Sequence, residues 1–122
     1  MKVLIIDDSR TMRRLLASYI TSISTTVIEA EDGIHALEQL KLNAPIDLAL
    51  VDWDMPRMNG LDFIKTVSAD GAHAAMKILM VSSHNSKEDV GVALAAGATD
   101  FLMKPMTENM VTDKLRLLGM LD

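Results

Sequence analysis

The chain has 122 residues, no cysteine and a net charge of −5, from 12 basic and 17 acidic side chains. The missing cysteine excludes disulfides, thiol nucleophiles and cysteine-ligated metals, and the acidic balance with four aromatic residues argues against direct nucleic-acid binding. Since no apolar stretch approaches the roughly 18 residues of a membrane span and no secretory signal is present, we expect a cytoplasmic protein without membrane insertion.

Five short apolar runs recur along the chain. Each run is continuous rather than alternating, which is typical of parallel strands that are covered on both faces. The runs comprise residues 3–6, 26–28, 48–51, 78–81 and 101–103. The acidic residues at 29–32, which follow the second run, are predicted to form a solvated loop.

Segments with helical periodicity separate these runs. In the first segment, apolar side chains recur at helical spacing over residues 12–23, with Arg13 and Arg14 on a solvated face. A weaker stripe over residues 34–40 predicts a second helix that ends before a proline, and a third helix begins near Leu61.

The last two segments carry clear helix boundaries. Ser86 and Asp89 have capping-box spacing, the apolar residues Val90, Ala93 and Leu94 follow them at helical spacing, and Gly97 predicts the end of that helix. Thr107 is the expected N-cap of a fifth helix with an inner face over residues 110–118. Five strands alternating with five helices predict one α/β domain over residues 1–122, with right-handed crossovers and helices on both sheet faces. The pattern leaves the strand order open.

Polar side chains follow four of the five apolar runs. Asp7 and Asp8 come after the first run and Asp52 after the third, whereas Ser82 follows the fourth and Lys104 the fifth. Because the carboxyl ends of parallel strands meet at one edge of a sheet, where ligands bind, we expect these side chains to lie close together.

Such a cluster has a definite electrostatic requirement. Two carboxylates about 4 Å apart repel by roughly 4 kcal/mol at an effective dielectric near 20, so three together need a cation, a raised pKa, or both. An oxygen-only ligand set suits Mg²⁺. With a lysine and a hydroxyl beside it, the site fits a phosphoryl group.

The sequence narrows the chemistry further. It contains no glycine-rich phosphate loop and gives no indication of a serine–histidine–acid triad, which leaves a carboxylate as the candidate nucleophile. Attack by an aspartate on phosphorus yields an acyl phosphate, which is a high-energy, hydrolysable intermediate.

The strand-end residues form an ordered set: Asp7-Asp8, DWDMPRMNG at residues 52–60, Ser82 and Lys104-Pro105. Together they resemble the receiver domain of bacterial two-component response regulators, and the resemblance covers the whole chain. It implies a flavodoxin-like (βα)5 three-layer sandwich with a parallel sheet of order 2-1-3-4-5.

The resemblance also implies a metal-dependent phosphoryl transfer. Asp52 would accept a phosphoryl group from a histidine kinase or a histidine phosphotransfer protein. Mg²⁺ would be held by the side chains of Asp8 and Asp52 and by the backbone carbonyl of Asp54, with Asp7 acting mainly through a bound water. The only catalysis implied is self-phosphorylation and self-dephosphorylation of Asp52.

A switch follows from the same resemblance. Ser82 and Lys104 would hold phosphoryl oxygens, and the Lys104–Pro105 peptide would be cis. Upon phosphorylation the hydroxyl of Ser82 would move toward the phosphoryl group and Phe101 would turn into the vacated space. The surface of the fourth helix, fifth strand and fifth helix would then change shape for partner binding.

Residues 7–14 and 117–120 resemble the single-domain chemotaxis response regulators, some of which bind a flagellar motor switch protein. In the wider family, the positions of Asp54 and His84 tune the lifetime of the phosphoryl group. Three alternatives stay open: a Mg²⁺-dependent phosphatase with Asp52 as nucleophile and Asp54 as general acid, a receiver module excised from a larger regulator, and a receiver-like domain that is never phosphorylated.

Overall fold

A computed structural model describes residues 1–23 and 26–121. Strands and helices alternate as the apolar runs predict. In chain order they are β1 (Lys2–Ile6), α1 (Arg10–Ile20), β2 (Thr26–Ala30), α2 (Gly33–Asn43), β3 (Leu48–Asp52), α3 (Gly60–Asp70), β4 (Lys77–Ser82), α4 (Lys87–Ala96), β5 (Asp100–Met103) and α5 (Glu108–Leu117). None of the described helices has the length and apolar character needed to cross a membrane.

The five strands form one parallel sheet in the order β2-β1-β3-β4-β5. This confirms the α/β class predicted from the residues and the flavodoxin-like order implied by the resemblance. Chain order reverses between β1 and β3, and open α/β sheets bind ligands at such a reversal, outside the carboxyl ends of the strands. The register places Ile6 opposite Val51 and Asp52 opposite Val81, so the ends of the three central strands lie side by side.

Helices cover both faces of the sheet, with α1 and α5 on one face and α2, α3 and α4 on the other. Successive strand residues point to opposite faces. In β1, Val3 and Ile5 pack toward α1 and α5, whereas Leu4 and Ile6 pack toward the other three helices. Because each face buries its residues, the strands read as continuous apolar runs.

Each helix begins at a side chain that accepts a hydrogen bond from a first-turn N–H, a contact worth about 0.5–2 kcal/mol. These N-caps are Ser9, Asp32, Asn59, Ser86 and Thr107. The caps predicted at Ser86 and Thr107 are confirmed, as is the end of α4 at Gly97. Gly97 has a φ of +125°, and a Cβ atom there would collide with the side chain of Ser68 in α3.

The prediction of a solvated loop at residues 29–32 is wrong. Strand β2 continues to Ala30, pairing with β1 over its full length, and Asp32 is buried. The charge of Asp32 is tolerated inside because its carboxylate caps α2 and forms an ion pair with Arg57. The acidic composition of residues 29–32 therefore gave a wrong prediction, because it does not show which of these side chains have partners in the fold.

Three helical positions also differ from expectation. The side chain of Arg13 is only 15% exposed, because its guanidinium donates to Glu29 Oε1 and to the backbone carbonyl of Asp7. Leu94 and Met110, which were expected on inner faces, are exposed, since α4 contributes Ala93 to the core and α5 contributes Val111 and Leu115. In addition, α1 ends before Ile23.

Candidate functional site

The carboxyl ends of β1, β3, β4 and β5 bring four predicted residues together. The ammonium of Lys104 lies 3.1 Å from Asp52 Oδ1 and 3.2 Å from Asp7 Oδ2. The backbone N–H of Lys104 donates to the carbonyl of Ser82 at 2.9 Å, which joins the ends of β4 and β5. The Lys104–Pro105 peptide is cis, as the resemblance implies.

Three carboxylates converge beside this lysine. Asp7, Asp8 and Asp52 each offer an oxygen, and these oxygens lie within 4.8 Å of one another. Within residues 1–23 and 26–121 this is the one group of three acidic or histidine side chains close enough to share a metal ion. The donors are all carboxylate oxygens, and one of the three, Asp8, is exposed, so Mg²⁺ fits the site and would keep several of its waters.

The charges at the site are unbalanced. The side chains of Asp7 and Asp52 are only 3% and 11% exposed, and they share a single ammonium. Burial, followed by the charge of Asp7, raises the pKa of Asp52 from 3.8 to about 6, although Lys104 offsets part of this. Burial lowers the pKa of Lys104, but the charges of Asp52 and Asp7 outweigh it and the net shift is upward. The excess negative charge favours a bound cation.

The two candidate switch residues occupy different surroundings. Ser82 is buried at the end of β4, where its Oγ accepts a hydrogen bond from the N–H of His84 at 3.0 Å. Phe101 in β5 is buried in the core between the sheet and α2, α3 and α4. The structure therefore places Ser82 at the acidic edge and Phe101 on the neighbouring strand within the core.

Asp54 and His84 meet across the mouth of the site. The Nε2 atom of His84 lies 2.7 Å from Asp54 Oδ2, and its ring centroid is 4.8 Å from that of Trp53. This contact joins the loop after β3 to the loop after β4. Sequence reasoning singled out both positions but did not predict their contact.

Sequence reasoning missed two further charged residues near the site. Asp32 and Arg57 form an ion pair beside Asp8, and together with Glu31 and Pro56 these three residues line a cavity of about 290 Å³. An aspartate directly before the first residue of a helix is a recognised capping signal, so the role of Asp32 in α2 was accessible from the sequence. Nothing in the sequence pairs it with Arg57.

Comparison with known proteins identifies the family. The profile of the response regulator receiver domain matches residues 3–116. This chain belongs to the response regulator receiver family. It is 39% identical over 118 residues to chemotaxis protein CheY1 of Helicobacter pylori strain J99, covering 96% of this chain and 95% of that protein.

Solved structures agree. The fold matches Vibrio cholerae chemotaxis protein CheY4 with a TM-score of 0.87 and 31% identity, over 95% of this chain and 96% of that one. It also matches a chain of the CheX–CheY–BeF3–Mg complex of Borrelia burgdorferi, with a TM-score of 0.88 and 28% identity, over 98% and 89% of the two chains.

The chain is therefore a phosphoryl-accepting signalling module of the two-component type, with chemotaxis proteins among its relatives. Receiver domains of this kind are generally not enzymes, bind Mg²⁺ in an acidic pocket, and interact with kinases or phosphotransfer proteins and with downstream targets. The family match favours this function over the phosphatase alternative.

Proposed function

We propose that Asp52 is the phosphoryl acceptor and that its phosphorylation depends on Mg²⁺. One observation carries the proposal: Asp52 is largely buried and shares the ammonium of Lys104 with a second buried carboxylate, Asp7, while the exposed Asp8 belongs to the same cluster. The donor is a histidine kinase or a histidine phosphotransfer protein. Asp8, Asp52 and the carbonyl of Asp54 would hold Mg²⁺, with Asp7 acting through a water.

The chemistry assigned to Asp52 is a single displacement at phosphorus. A carboxylate oxygen of Asp52 forms the new bond, and the bond between phosphorus and the donor nitrogen breaks with its electron pair leaving on the imidazole. Because the pKa of Asp52 is about 6, the carboxylate is mostly ionised and nucleophilic at neutral pH. Mg²⁺ supplies positive charge for the phosphoryl oxygens, and Lys104 and Ser82 supply a second charge and a hydroxyl.

The proposed output is a change of the α4–β5–α5 face. An acyl phosphate carries about −1.5 to −2 charges where the ionised carboxylate of Asp52 carried −1, and it places them farther out, at the ends of β3 and β4 near Ser82. The hydroxyl of Ser82 would move toward the phosphoryl group, and Phe101 on β5 would turn into the vacated space and so alter the α4–β5–α5 face. Supporting a partner surface, Val92, Leu94, Met103 and Met110 on these three elements are exposed apolar side chains.

By likeness to the chemotaxis proteins, we propose a flagellar motor switch protein as the output partner and a cytoplasmic location. Incubation of the protein with beryllofluoride and Mg²⁺, followed by pull-down of the purified switch protein, tests the partner. Equal capture with and without beryllofluoride would contradict an output controlled by phosphorylation.

The acceptor is tested by incubating the protein with Mg²⁺ and phosphoramidate and measuring its intact mass. We expect a stoichiometric gain of one phosphoryl group, no gain in Asp52→Asn, and a normal gain in the control Asp47→Asn, which alters an exposed aspartate at the opposite edge. An unmodified wild-type protein, or a phosphorylated Asp52→Asn, would refute the proposal. Repeated turnover of a phosphomonoester would instead indicate a phosphatase.

A further inference from the structure

Asp32 is a buried carboxylate outside the acidic cluster, and its ion pair is well formed. Its side chain is 3% exposed. Arg57 donates to both of its oxygens, from Nε to Oδ2 at 2.8 Å and from Nη2 to Oδ1 at 3.1 Å, and the N–H of His35 donates to Oδ1. Burial alone would raise the pKa of Asp32, but these hydrogen bonds outweigh it and the pKa is lowered. Two-point pairing of this kind fixes orientation as well as distance.

Arg57 has an unusual backbone for an arginine. Its φ is +64°, in the left-handed region, and among the described residues it is the one non-glycine with a positive φ. Such conformations persist where the surroundings hold them, and they concentrate at functional loops. Arg57 lies in the 53–59 loop, between β3 and α3, three residues after Asp54.

The 53–59 loop is attached at two other points. The N–H of Gly33, at the start of α2, donates to the carbonyl of Met58 at 2.9 Å, and a Cβ atom at position 33 would collide with Met58. At the other end, the N–H of Gly60 donates to the carbonyl of Trp53 at 2.8 Å. The Arg57–Asp32 pair is thus the charged part of a junction between α2 and the loop.

This junction borders the acidic cluster. Asp8, Asp32 and Arg57 line the same 290 Å³ cavity, and the loop that Arg57 holds follows Asp52 directly. A loop fixed before a ligand arrives spares the binding step the cost of ordering it.

We propose that Arg57 is a positioning residue, which by its ion pair with Asp32 holds the 53–59 loop, and with it Asp54, in the conformation that binds Mg²⁺. This rests on the proposed function, in which the metal is bound beside Asp52. The sign of the effect separates positioning from simple electrostatics. Removal of a positive charge near the site strengthens cation binding by Coulomb attraction alone, whereas release of the loop weakens it.

Mg²⁺ titration followed by Trp53 fluorescence, and independently by calorimetry, tests the proposal. We expect Arg57→Ala to raise the Mg²⁺ dissociation constant roughly tenfold, the lower end of the range for residues that orient metal ligands. Arg116→Ala is the matched control, because Arg116 is also 54% exposed and pairs with an aspartate. We expect no change in that control.

Arg57→Gly separates positioning from stability, since glycine removes the backbone strain together with the ion pair. We expect it to weaken Mg²⁺ binding while its melting temperature stays near that of the wild type.

Asp32→Asn, which keeps a capping oxygen, is expected to weaken binding as Arg57→Ala does, with no further loss in the double variant. In Mg²⁺-free buffer, the amides of Met58 and Gly60 should exchange faster in Arg57→Ala.

Wild-type or tighter Mg²⁺ affinity in both Arg57→Ala and Arg57→Gly would overturn the positioning role while leaving the proposed function intact. A wild-type protein that does not bind Mg²⁺ would overturn both. Equal weakening in Arg116→Ala would show that the loss is not specific to the junction between α2 and the loop, and would also refute the proposal.

Discussion

The two edges of the sheet carry charge in different ways. At the amino edge, the N–H of Asp47 donates to the carbonyl of Lys2 at 2.9 Å, and the exposed carboxylate of Asp47 accepts the N–H of Lys2 at 2.7 Å. At the carboxyl edge, Asp7 and Asp52 are both largely buried and share only Lys104. At the amino edge the polar groups hydrogen-bond to one another and connect the strands. At the carboxyl edge two negative charges face a single positive charge. That imbalance favours a bound cation at the carboxyl edge.

Loss of the shared ammonium should have the largest effect. We expect Lys104→Met to lower the free energy of unfolding by about 2–4 kcal/mol at pH 8, because it leaves two buried carboxylates without the positive charge that they share. The loss should shrink at pH 5, where Asp52 is protonated. Urea unfolding at both pH values measures this difference, and an equal loss at pH 5 and pH 8 would show that the ammonium does not balance these carboxylates.

Removal of the Asp52 carboxylate should raise the free energy of unfolding, the opposite of the effect of Lys104→Met. The folded protein holds a proton on Asp52 more tightly than the unfolded chain does, since its pKa is raised from 3.8 to about 6. Stability is therefore lost as the pH rises through this window. We expect metal-free Asp52→Asn to be more stable than wild type by about 1–3 kcal/mol at pH 7.5, with the gain vanishing near pH 4.

Thermal melts of Asp52→Asn and wild type across that pH range test the prediction, and added Mg²⁺ should stabilise the variant less than the wild type. An unchanged or lower melting temperature for metal-free Asp52→Asn at pH 7.5 would argue that repulsion among the acids is weak.

The gain in the free energy of unfolding on Mg²⁺ binding should be the next largest effect. At a Mg²⁺ concentration ten times its dissociation constant, the wild type should gain about 1.4 kcal/mol. Asp8→Asn should lose more than half of this gain, yet the metal-free variant should melt close to the wild type because Asp8 is exposed. Melting curves in Mg²⁺ and in EDTA measure both effects. Full Mg²⁺ stabilisation of Asp8→Asn would remove Asp8 from the metal site.

A substitution at the amino edge should change stability and Mg²⁺ stabilisation least. Asp47→Asn keeps an acceptor for the Lys2 N–H, so its free energy of unfolding should stay within about 0.5 kcal/mol of wild type, with no change in Mg²⁺ stabilisation. Differential scanning calorimetry with and without Mg²⁺ checks both statements. A clear loss of Mg²⁺ stabilisation would erase the contrast between the two edges.

The strands, the helix caps and the strand-end side chains follow from local sequence. Continuous apolar runs mark strands covered on both faces, and after four of the five runs the next polar residue falls at the functional edge. The strand order was not derivable in this way, since it depends on which runs pair, and it came from the family resemblance.

The missed features depend on distant contacts. The Arg57–Asp32 pair joins residues 25 apart, and the His84–Asp54 contact joins residues 30 apart. Exposure of Leu94 and Met110 reflects how the sheet sets the rotation of each helix, which periodicity alone fixes poorly.

The close approach of Gly97 to Ser68 limits how α4 can move. The backbone at Gly97 lies close against Ser68 in α3, so a tilt of α4 would be restricted most at this end. A ten-residue helix is about 15 Å long, so a 10° tilt about Gly97 would carry its first turn by about 2.6 Å. Such a displacement would be greatest at the first turn, which follows the loop after β4, and smallest at Gly97.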